Sequence, residues 1–276
     1  MGWHARLELH GSIAGGRSRL AFAHEGPLRV LQTLHPEGPA VVHAVLVHPP
    51  GGIVGGDELA IDVRVQPGAH VLVTTPGATR FYRSDGERAA QTVRAHVEAG
   101  ARLEWLPAET IAYPGCIARN AFDAKLAPGA QLLAWEVCAL GLPQAGDPFA
   151  AGVLQQRMAV DDVWLDEGWL DAADRWLLDS GPGLAGRRTL GTLVLASGTP
   201  WNEAERERLL EAVRAELPAT LEPVAAGATC PHERVLVVRG LAEVVEPLMV
   251  LWQRLRAVLR QQAWGLQAPP LRLWRV

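Results

Sequence analysis

The chain has 276 residues, of which 49% are hydrophobic, and this content is enough to fill a sizeable core. The formal net charge of −4 and the pI near 6.1 argue against a nucleic-acid-binding protein, which usually carries a basic excess. No stretch approaches the ~18 apolar residues that a membrane-spanning helix needs, and the first residues lack the apolar core of a signal peptide. We therefore predict a cytoplasmic protein that contacts neither nucleic acid nor membrane.

The first two-thirds of the chain have the pattern of β-structure. Residues 41–47 form a β-branched apolar run that is typical of a buried strand. Residues 59–66, 93–98 and 122–126 alternate between apolar and polar side chains, which is the period of a half-buried strand. Further strands are predicted at 157–165, 187–196 and 233–238.

A weak internal repeat follows the alternating strands. Pro67-Gly-Ala, Ala99-Gly-Ala and Pro128-Gly-Ala each close one alternating strand and open a more apolar one, at spacings of 32 (67 to 99) and 29 (99 to 128) residues. Repeated strand–turn–strand units of this kind stack into a solenoid or a two-layer sheet. Chance recurrence of glycine turns in a chain with 28 glycines is the alternative interpretation.

Two helices are predicted in the last third of the chain. The helix at 202–217 has Asn202 at its cap position, acidic residues in its first turn and Pro218 after its end. The helix at 246–262 carries leucine and tryptophan at helical spacing. No linker or charge run divides the sequence, so we predict a single mainly β domain over 1–276, β-rich over 1–200, of stacked and possibly solenoid-like sheets with a small helical C-terminal part.

The segment 48–57, H-P-P-G-G-I-V-G-G-D, contains four glycines and raises the question of phosphate binding. Gly51 and Gly56 have the spacing of a P-loop, but Asp57 and Glu58 stand where a P-loop has its lysine and its hydroxyl. Two carboxylates at these positions repel a polyphosphate. The next segment alternates as a strand, so no helix N-terminus faces the loop. We predict that the loop turns the chain.

No catalytic or metal-binding motif is recognisable. The three cysteines, Cys116, Cys138 and Cys230, contain no C-x-x-C pair and fit neither a disulfide framework nor a zinc site. Cys230-Pro-His232 offers two soft ligands, which make a partial site at best. His48 ends a predicted strand beside two prolines, where a structural role is the more common one.

Three blocks of sequence resemble one known family. They are H-P-P-G-G-I-V-G-G-D-E-L at 48–59, T-P-G-A-T-R-F-Y-R-S at 75–84 and L-E-W-L-P-A-E-T-I at 103–111. Their order and spacing resemble the signature blocks of the urease accessory protein family UreD, also called UreH, and the ending from Leu251 to Trp274 is similar to the family's ending. The family commonly has lysine where Arg80 stands, and Leu142 and Asp147 replace the arginine and glutamate of another family segment.

The resemblance implies a β-rich fold and a role in urease maturation without catalysis. Proteins of this family bind apo-urease and UreF, and through UreF the GTPase UreG, and the assembly delivers nickel to urease. The resemblance therefore implies no tightly bound cofactor and a transient passage of nickel. Acidic groups in apolar or backbone-dense surroundings are our candidates for lining that passage, namely Asp57, Glu109 and Glu136. Candidates for partner binding are Arg80, Arg83 and Trp274.

Two other classes of function compete with this hypothesis. A stand-alone carbohydrate-binding β-solenoid needs an exposed row of aromatic rings, yet Trp105, Trp135 and Trp252 occupy apolar, core-type positions. A β-rich hydrolase needs a carboxylate pair, and Glu104 with Glu136 is the candidate.

Overall fold

The computed structural model describes residues 2–274 and is mainly β, with 49% strand and 16% helix. Its helices are α1 Arg175–Asp179, α2 Glu203–Glu216 and α3 Val245–Trp264, and two short 3-10 turns lie at Pro143–Ala145 and Arg272–Trp274. The strands in chain order are β1 His4–Ala14, β2 Arg17–Glu25, β3 Arg29–Leu34, β4 Val41–Val47, β5 Glu58–Val65, β6 His70–Thr74, β7 Thr79–Phe81, β8 Ala89–Val97, β9 Arg102–Trp105, β10 Thr110–Ala112, β11 Ile117–Leu126, β12 Gln131–Leu142, β13 Asp147–Pro148, β14 Val153–Val160, β15 Trp164–Asp171, β16 Thr189–Ser197, β17 Val224–His232 and β18 Val235–Ala242.

The strands form two sheets whose central strands are parallel. The first sheet has the order β15-β14-β11-β8-β5-β1-β2, and the main path of the second has the order β17-β18-β16-β12-β9-β6-β4-β3. In the first sheet the five strands from β14 to β1 are mutually parallel, and in the second the four strands from β12 to β4 are. Antiparallel strands flank both parallel blocks. The predicted stacked sheets with a solenoid-like arrangement are thus confirmed.

The repeated glycine turns carry the chain from the first sheet to the second. Gly68, Gly100 and Gly129 have φ angles of 75°, 67° and 76°, a left-handed conformation that favours glycine. The strand register repeats the sequence spacing, because Gln91 lies opposite Leu59 in β5 and opposite Asn120 in β11. The repeat is therefore the coil of the solenoid and not a chance recurrence of turns.

The glycine-rich loop 48–57 forms a third side of the first coil. Ile53 makes an isolated parallel bridge to Phe81, and Phe81 lies opposite Ala112. All three side chains are buried. A Cβ atom on Gly52 would lie 2.0 Å from Cε2 of Tyr82, so the ring packs where only glycine fits. The loop turns the chain, as predicted, and it also forms part of the wall of the solenoid.

Both predicted helices are present. Asn202 accepts a hydrogen bond from the Glu205 amide at 2.9 Å, and the Glu205 carboxylate accepts one from the Asn202 amide at 2.9 Å, which is a capping box. Helix α3 lies on the second sheet and begins and ends within two residues of the predicted bounds. The predicted strand 157–165 is wrong in its bounds, because a turn with φ of 45° at Asp161 separates β14 from β15.

The apolar side chains form two clusters. One lies between the two sheets, with Val63, Ala95 and Phe122 among its members. The other lies between the second sheet and helices α2 and α3 and includes Trp135 and Trp252. Among the described residues, no helix is long and apolar enough to cross a membrane.

Candidate functional site

Two glutamates on neighbouring strands of the second sheet, Glu104 fully buried and Glu136 half-buried, have opposite surroundings. Glu104 on β9 is fully buried and faces α3. Its Oε2 accepts a hydrogen bond from Arg256 Nε at 3.0 Å, and its Oε1 lies 2.8 Å from both Arg260 Nη1 and His70 Nε2. Burial alone would raise the pKa of Glu104, but the hydrogen bond from His70 and the charges of the two arginines lower it to about 2. Glu104 is therefore an ionised carboxylate whose charge is compensated.

A second carboxylate completes this buried ion cluster. Glu37, in the loop before β4, lies 2.7 Å from His43 Nε2 and also accepts hydrogen bonds from Arg260. We call the six side chains the latch cluster; they are Glu37, His43, His70, Glu104, Arg256 and Arg260. Because its two arginines lie one helical turn apart and its other members lie on the sheet side, the cluster fastens α3 to the second sheet.

Glu136 on β12 faces the interior between the two sheets instead. Its Oε1 accepts hydrogen bonds from Thr110 Oγ1 at 3.0 Å and from the side-chain amide of Asn120. Burial raises the pKa of Glu136 to about 7, and the hydrogen bonds from Thr110, Gln156 and Asn120 lower it by less. These three hydrogen-bonding groups are neutral, and within residues 2–274 no cationic side chain forms an ion pair with Glu136. One side of the residue lines a cavity, so it keeps partial exposure.

Three amide side chains extend from Glu136 along the interior of the first sheet. Gln91, Asn120 and Gln156 lie opposite one another in the register of β8, β11 and β14. Gln91 Nε2 donates to Asn120 Oδ1 at 3.2 Å, and Gln156 Oε1 is buried without a hydrogen-bond partner among the described residues. We call Gln91, Asn120 and Gln156, with Thr110 and Glu136, the polar ladder.

Of the polar ladder, only Glu136 was predicted from the sequence, and its four other members were not. The alternation along the strands does indicate two of these members. Gln91 lies two positions before the inward-facing Val93, and Asn120 lies two positions before the inward-facing Phe122, so both amides face inward as well. The 29 positions from Gln91 to Asn120 also equal one spacing of the glycine-turn repeat.

The polar ladder lies between two cavities. The loop cavity, of about 370 Å³, is lined by His48, Arg80 and Gln91 together with core residues such as Leu59 and Trp105. The inter-sheet cavity, of about 650 Å³, is lined by Glu136 and Gln156, and also by Asp166, Glu167 and Arg239. A chain of polar side chains thus runs through the solenoid interior from one cavity to the other.

Asp57, a predicted nickel-passage residue, has a structural role here. It is buried, its Oδ1 accepts a hydrogen bond from the Trp3 amide at 2.8 Å, and its Oδ2 accepts one from the Val54 amide at 3.0 Å. Both oxygens therefore hold backbone of this chain. The structure places Asp57 outside the polar ladder, and the passage role of this residue stays a prediction.

Glu109 and two predicted partner-binding residues border a third cavity. This tail cavity, of about 690 Å³, is lined by Glu109, Arg80 and Trp274, and by Leu142 of the β12–β13 hairpin. Glu109 is half-buried and directly precedes Thr110 of the polar ladder, and its role in the nickel passage stays a prediction. Arg80 is exposed and borders both the tail cavity and the loop cavity.

Trp274 packs against its own chain. Its ring centroid lies 5.1 Å from that of Trp135, and its Nε1 donates to Thr74 Oγ1 at 3.1 Å. Arg256 of the latch cluster stacks over the same ring at 5.6 Å. Arg83 is exposed, with its side chain against Gly115. Partner binding by Arg83 stays a prediction, whereas Trp274 is already half-buried within the fold.

The cysteines form no closed site. Burial raises the pKa of Cys116 to about 11 and holds that of Cys138 well above its usual range, so both are protonated, inert core residues. Cys230 lies within the irregular stretch of β17 between Thr229 and His232, and His232 Nδ1 accepts a hydrogen bond from the Arg234 amide at 3.2 Å. Within residues 2–274, no three His, Cys, Asp or Glu side chains converge in a way that could hold a metal ion.

The proposed hydrolase pair does not form. Glu104 faces α3 and Glu136 faces the space between the sheets, so the two carboxylates lie on opposite sides of the second sheet. The fold and these sites together define a β-solenoid with a helical layer on one sheet and a row of polar side chains between the sheets.

The chain belongs to the UreD family. The model of that family, described as UreD urease accessory protein, matches residues 4–275. Proteins named urease accessory protein UreD are similar over almost the full length: one from Paracidovorax citrulli is 51% identical over 99% of both chains, and one from Variovorax paradoxus is 48% identical over 99% of both. One from Leptothrix cholodnii is 48% identical over 100% of both chains. The predicted family is thus confirmed.

Proposed function

We propose that this protein is a scaffold for urease maturation that binds apo-urease and a UreF–UreG complex and passes nickel to the urease active site through the polar ladder. Family membership supports the accessory role. The nickel route is supported by the contrast between Glu104, whose charge is compensated, and Glu136, whose charge is not. In this proposal the chain performs no catalysis, holds no ion tightly and acts in the cytoplasm.

The observation that carries the proposal is the uncompensated charge of Glu136 at the end of a continuous polar ladder. An unpaired buried carboxylate costs several kcal/mol unless water or a cation meets it. A row of amide oxygens and one carboxylate offers oxygen ligands to a divalent ion, and such ligands exchange readily when water completes the coordination. Glu104 cannot act as such an oxygen ligand, because two arginines and His70 already bind its oxygens.

The two cavities give the route its ends. The inter-sheet cavity exposes Glu136 beside Asp166 and Glu167, which form ion pairs with Arg239 and Arg157 at 2.7 Å and 2.8 Å. The loop cavity brings the other end of the ladder to the segment around Arg80. We propose that one end faces the partner that supplies nickel and the other faces urease. A partner that docks at the Arg80 end would contact the tail cavity as well, because Arg80 lines both.

The test compares Glu136→Gln with Glu98→Gln, a variant at an exposed position of the turn after β8. Each variant is co-expressed with urease subunits, UreF and UreG, and three quantities are measured: complex recovered by pull-down, nickel per urease, and urease activity. We expect the Glu136→Gln chain to recover the complex normally while nickel content and activity fall, and Glu98→Gln to match the unchanged chain. Full nickel content with Glu136→Gln contradicts the route, and failure to recover urease with the unchanged chain contradicts the scaffold role.

The competing functions fit the structure less well. Trp105, Trp135 and Trp252 are buried, so they offer no stacking surface to a sugar. Among the described residues the exposed rings are Trp3, Phe22 on β2, Trp169 on β15 and Trp176 on α1, and no two of them share a strand. The carboxylates of the hydrolase hypothesis face opposite sides of one sheet.

A further inference from the structure

Strand β2 forms an open edge of the first sheet. It pairs with β1 over nine residues without a register shift, and within residues 2–274 it is the last strand on that side of the sheet. The end strands of the second sheet differ, because the pairings of β3 and β17 are interrupted by register shifts and β17 contains Pro231. Irregularities and proline hinder the addition of a further strand, whereas a long regular edge is a template for one. The edge of β2 is therefore suited to pairing with another strand.

The hairpin between β1 and β2 shows which residues of β2 bond to β1. Gly15 and Gly16 form its two-residue turn, with φ angles of 57° and 71°, and Ala14 lies opposite Arg17 next to the turn. In a two-residue hairpin the pair next to the turn is hydrogen-bonded, and pairs with and without hydrogen bonds then alternate along the strands. The odd-numbered residues of β2 therefore bond to β1, and the backbone groups of the even-numbered residues point away from it.

Three residues of β2 keep their backbone groups free along the edge. At the start of the strand the loop before β4 covers the edge, since the Ser18 amide donates to the Pro39 carbonyl at 2.9 Å. At the other end the chain turns at Gly26, which has a φ of 69°. The even-numbered residues between these ends are Leu20, Phe22 and His24. Within residues 2–274, no loop backbone forms a hydrogen bond with any of the three.

An antiparallel copy of β2 matches this free segment. Because Phe22 is the middle one of the three free residues, pairing the segment with itself sets Phe22 opposite Phe22 and Leu20 opposite His24. Each of these is a hydrogen-bonded pair, so every free N–H and C=O group of the segment finds a partner. The position of the free groups thus defines one register, which is centred on Phe22.

The side chains are complementary in the same register. Arg19 lies opposite Glu25 of the copy, and by symmetry Glu25 lies opposite Arg19 of the copy. Both side chains are exposed, and within residues 2–274 neither forms an ion pair, since Arg6, the neighbour of Glu25 in β1, pairs with other carboxylates. Phe22 is 43% exposed, and the same ring of the copy would cover it. Opposite charges and apolar rings therefore meet in a register that the backbone alone defines.

We propose that this protein forms a two-fold symmetric dimer in which β2 pairs antiparallel with β2 of a second copy. The contact is the same on both copies, so it closes on itself and joins the two first sheets into one. A contact between two single strands is at the small end of protein interfaces, so the dimer is weak and forms as the concentration rises. The dimer goes beyond the proposed function and does not depend on the nickel route.

Sedimentation velocity of the purified full-length chain over a range of concentrations tests the dimer. We expect Arg19→Glu and Glu25→Arg each to weaken self-association about tenfold, because each sets like charges opposite one another at two symmetric places. An equal mixture of the two variants should recover the affinity of the unchanged chain, since both charge pairs between them are of opposite sign. The control is Arg64→Glu, at an exposed position of β5 away from the edge, which should leave the association unchanged.

Three outcomes overturn the proposal. An unchanged chain that stays monomeric at every concentration leaves the edge to a strand of another protein. A loss with Arg64→Glu as large as that with Arg19→Glu shows that overall charge governs the association. A mixture of the two folded edge variants that associates no better than either alone contradicts the pairing of Arg19 with Glu25. Circular dichroism establishes that each variant is folded.

Cysteine substitutions test the register without a change of charge. Ala21 lies opposite Ala23 of the second copy in a pair without hydrogen bonds, where the Cα atoms are about 4.5 Å apart and within reach of a disulfide. In a Cys230→Ser background, we expect Ala21→Cys mixed with Ala23→Cys to form a disulfide-linked dimer in glutathione buffer. Either variant alone should not, because its two cysteines are diagonal neighbours about 7–8 Å apart. Absence of the link in the mixture, or equal linking of either variant alone, overturns the proposal even if a charge variant is poorly folded.

Discussion

Glu104 Oε1 and Arg260 Nη1 lie 2.8 Å apart, although 156 positions separate the two residues in the sequence. Arg256, one turn earlier on α3, binds the other oxygen of the same carboxylate at 3.0 Å. All three side chains are almost fully shielded from water. The contact is therefore a buried polar attachment between α3 and the solenoid, and removal of the carboxylate leaves two buried arginines with Glu37 as the one remaining carboxylate of the latch cluster.

We predict that Glu104→Gln lowers the free energy of unfolding by about 3–5 kcal/mol, the usual loss when one partner of a buried ion pair is removed. Urea denaturation followed by tryptophan fluorescence measures the change. The matched control is Arg6→Ala, which removes exposed ion pairs to Glu8 at 2.9 Å and to Asp62 at 3.5 Å and should cost less than about 1 kcal/mol. A loss for Glu104→Gln no larger than that of the control would contradict the latch role.

The same carboxylate predicts an acid-sensitive attachment of α3. The pKa of Glu104 is about 2 in the folded chain and 4.5 ordinarily, so the unfolded chain binds its proton first as pH falls. Its stabilisation is fully present above about pH 4.5 and is lost progressively as pH falls towards about 2. We expect the urea midpoint of the unchanged chain to fall more steeply over this range than that of Glu104→Gln. Parallel curves for the two proteins would refute the assignment.

The coil of the solenoid was predictable, whereas the latch cluster was not. The register places Leu59, Gln91 and Asn120 opposite one another at the spacings of the glycine turns, so a local repeat carries the information for the coil. The contact between Glu104 and Arg260 joins segments that share no local pattern. Only the packing of α3 on the second sheet brings them together.

The site was predicted in part and for a physical reason. Glu136 is a polar residue in an apolar strand, and that pattern indicates a buried carboxylate in need of a partner. Asp57 gives a similar local pattern, yet its partners are the Trp3 and Val54 amides, which the sequence does not reveal. Sequence pattern thus identifies buried charge, but the groups that compensate it come from the tertiary structure.

Asp57 should act on stability and not on nickel delivery. We predict that Asp57→Ala lowers the free energy of unfolding by about 2–4 kcal/mol, because two backbone amides lose their acceptor in a buried place. Asp85→Ala, at an exposed loop position, should leave stability within about 0.5 kcal/mol. Thermal unfolding measures both. At equal amounts of folded protein we expect Asp57→Ala to load urease with nickel normally, and a selective nickel deficit would instead restore Asp57 to the passage.

Glu136 should have the opposite pH dependence from Glu104. Its pKa of about 7 in the folded chain exceeds the ordinary 4.5, so the folded state retains its proton over a range in which the unfolded state has lost it. Its contribution is fully favourable below about pH 4.5, declines as pH rises to about 7 and is constant above that, a total of about 3 kcal/mol at most.

Glu136→Gln removes this titration and keeps a side chain of the same shape beside Thr110 and Asn120. We therefore predict that it is about as stable as the unchanged chain near pH 4 and more stable near pH 8, by up to about 3 kcal/mol. Urea midpoints at the two pH values measure the difference, and Glu98→Gln, at an exposed position, should show no such gain. If Glu136→Gln is more stable than the unchanged chain near pH 8 and yet delivers less nickel, the charge of Glu136 serves nickel delivery and not the stability of the fold. Equal stability of Glu136→Gln and the unchanged chain near pH 8 would mean that the charge of the carboxylate is already compensated. This result would contradict the proposal that the polar ladder binds a cation.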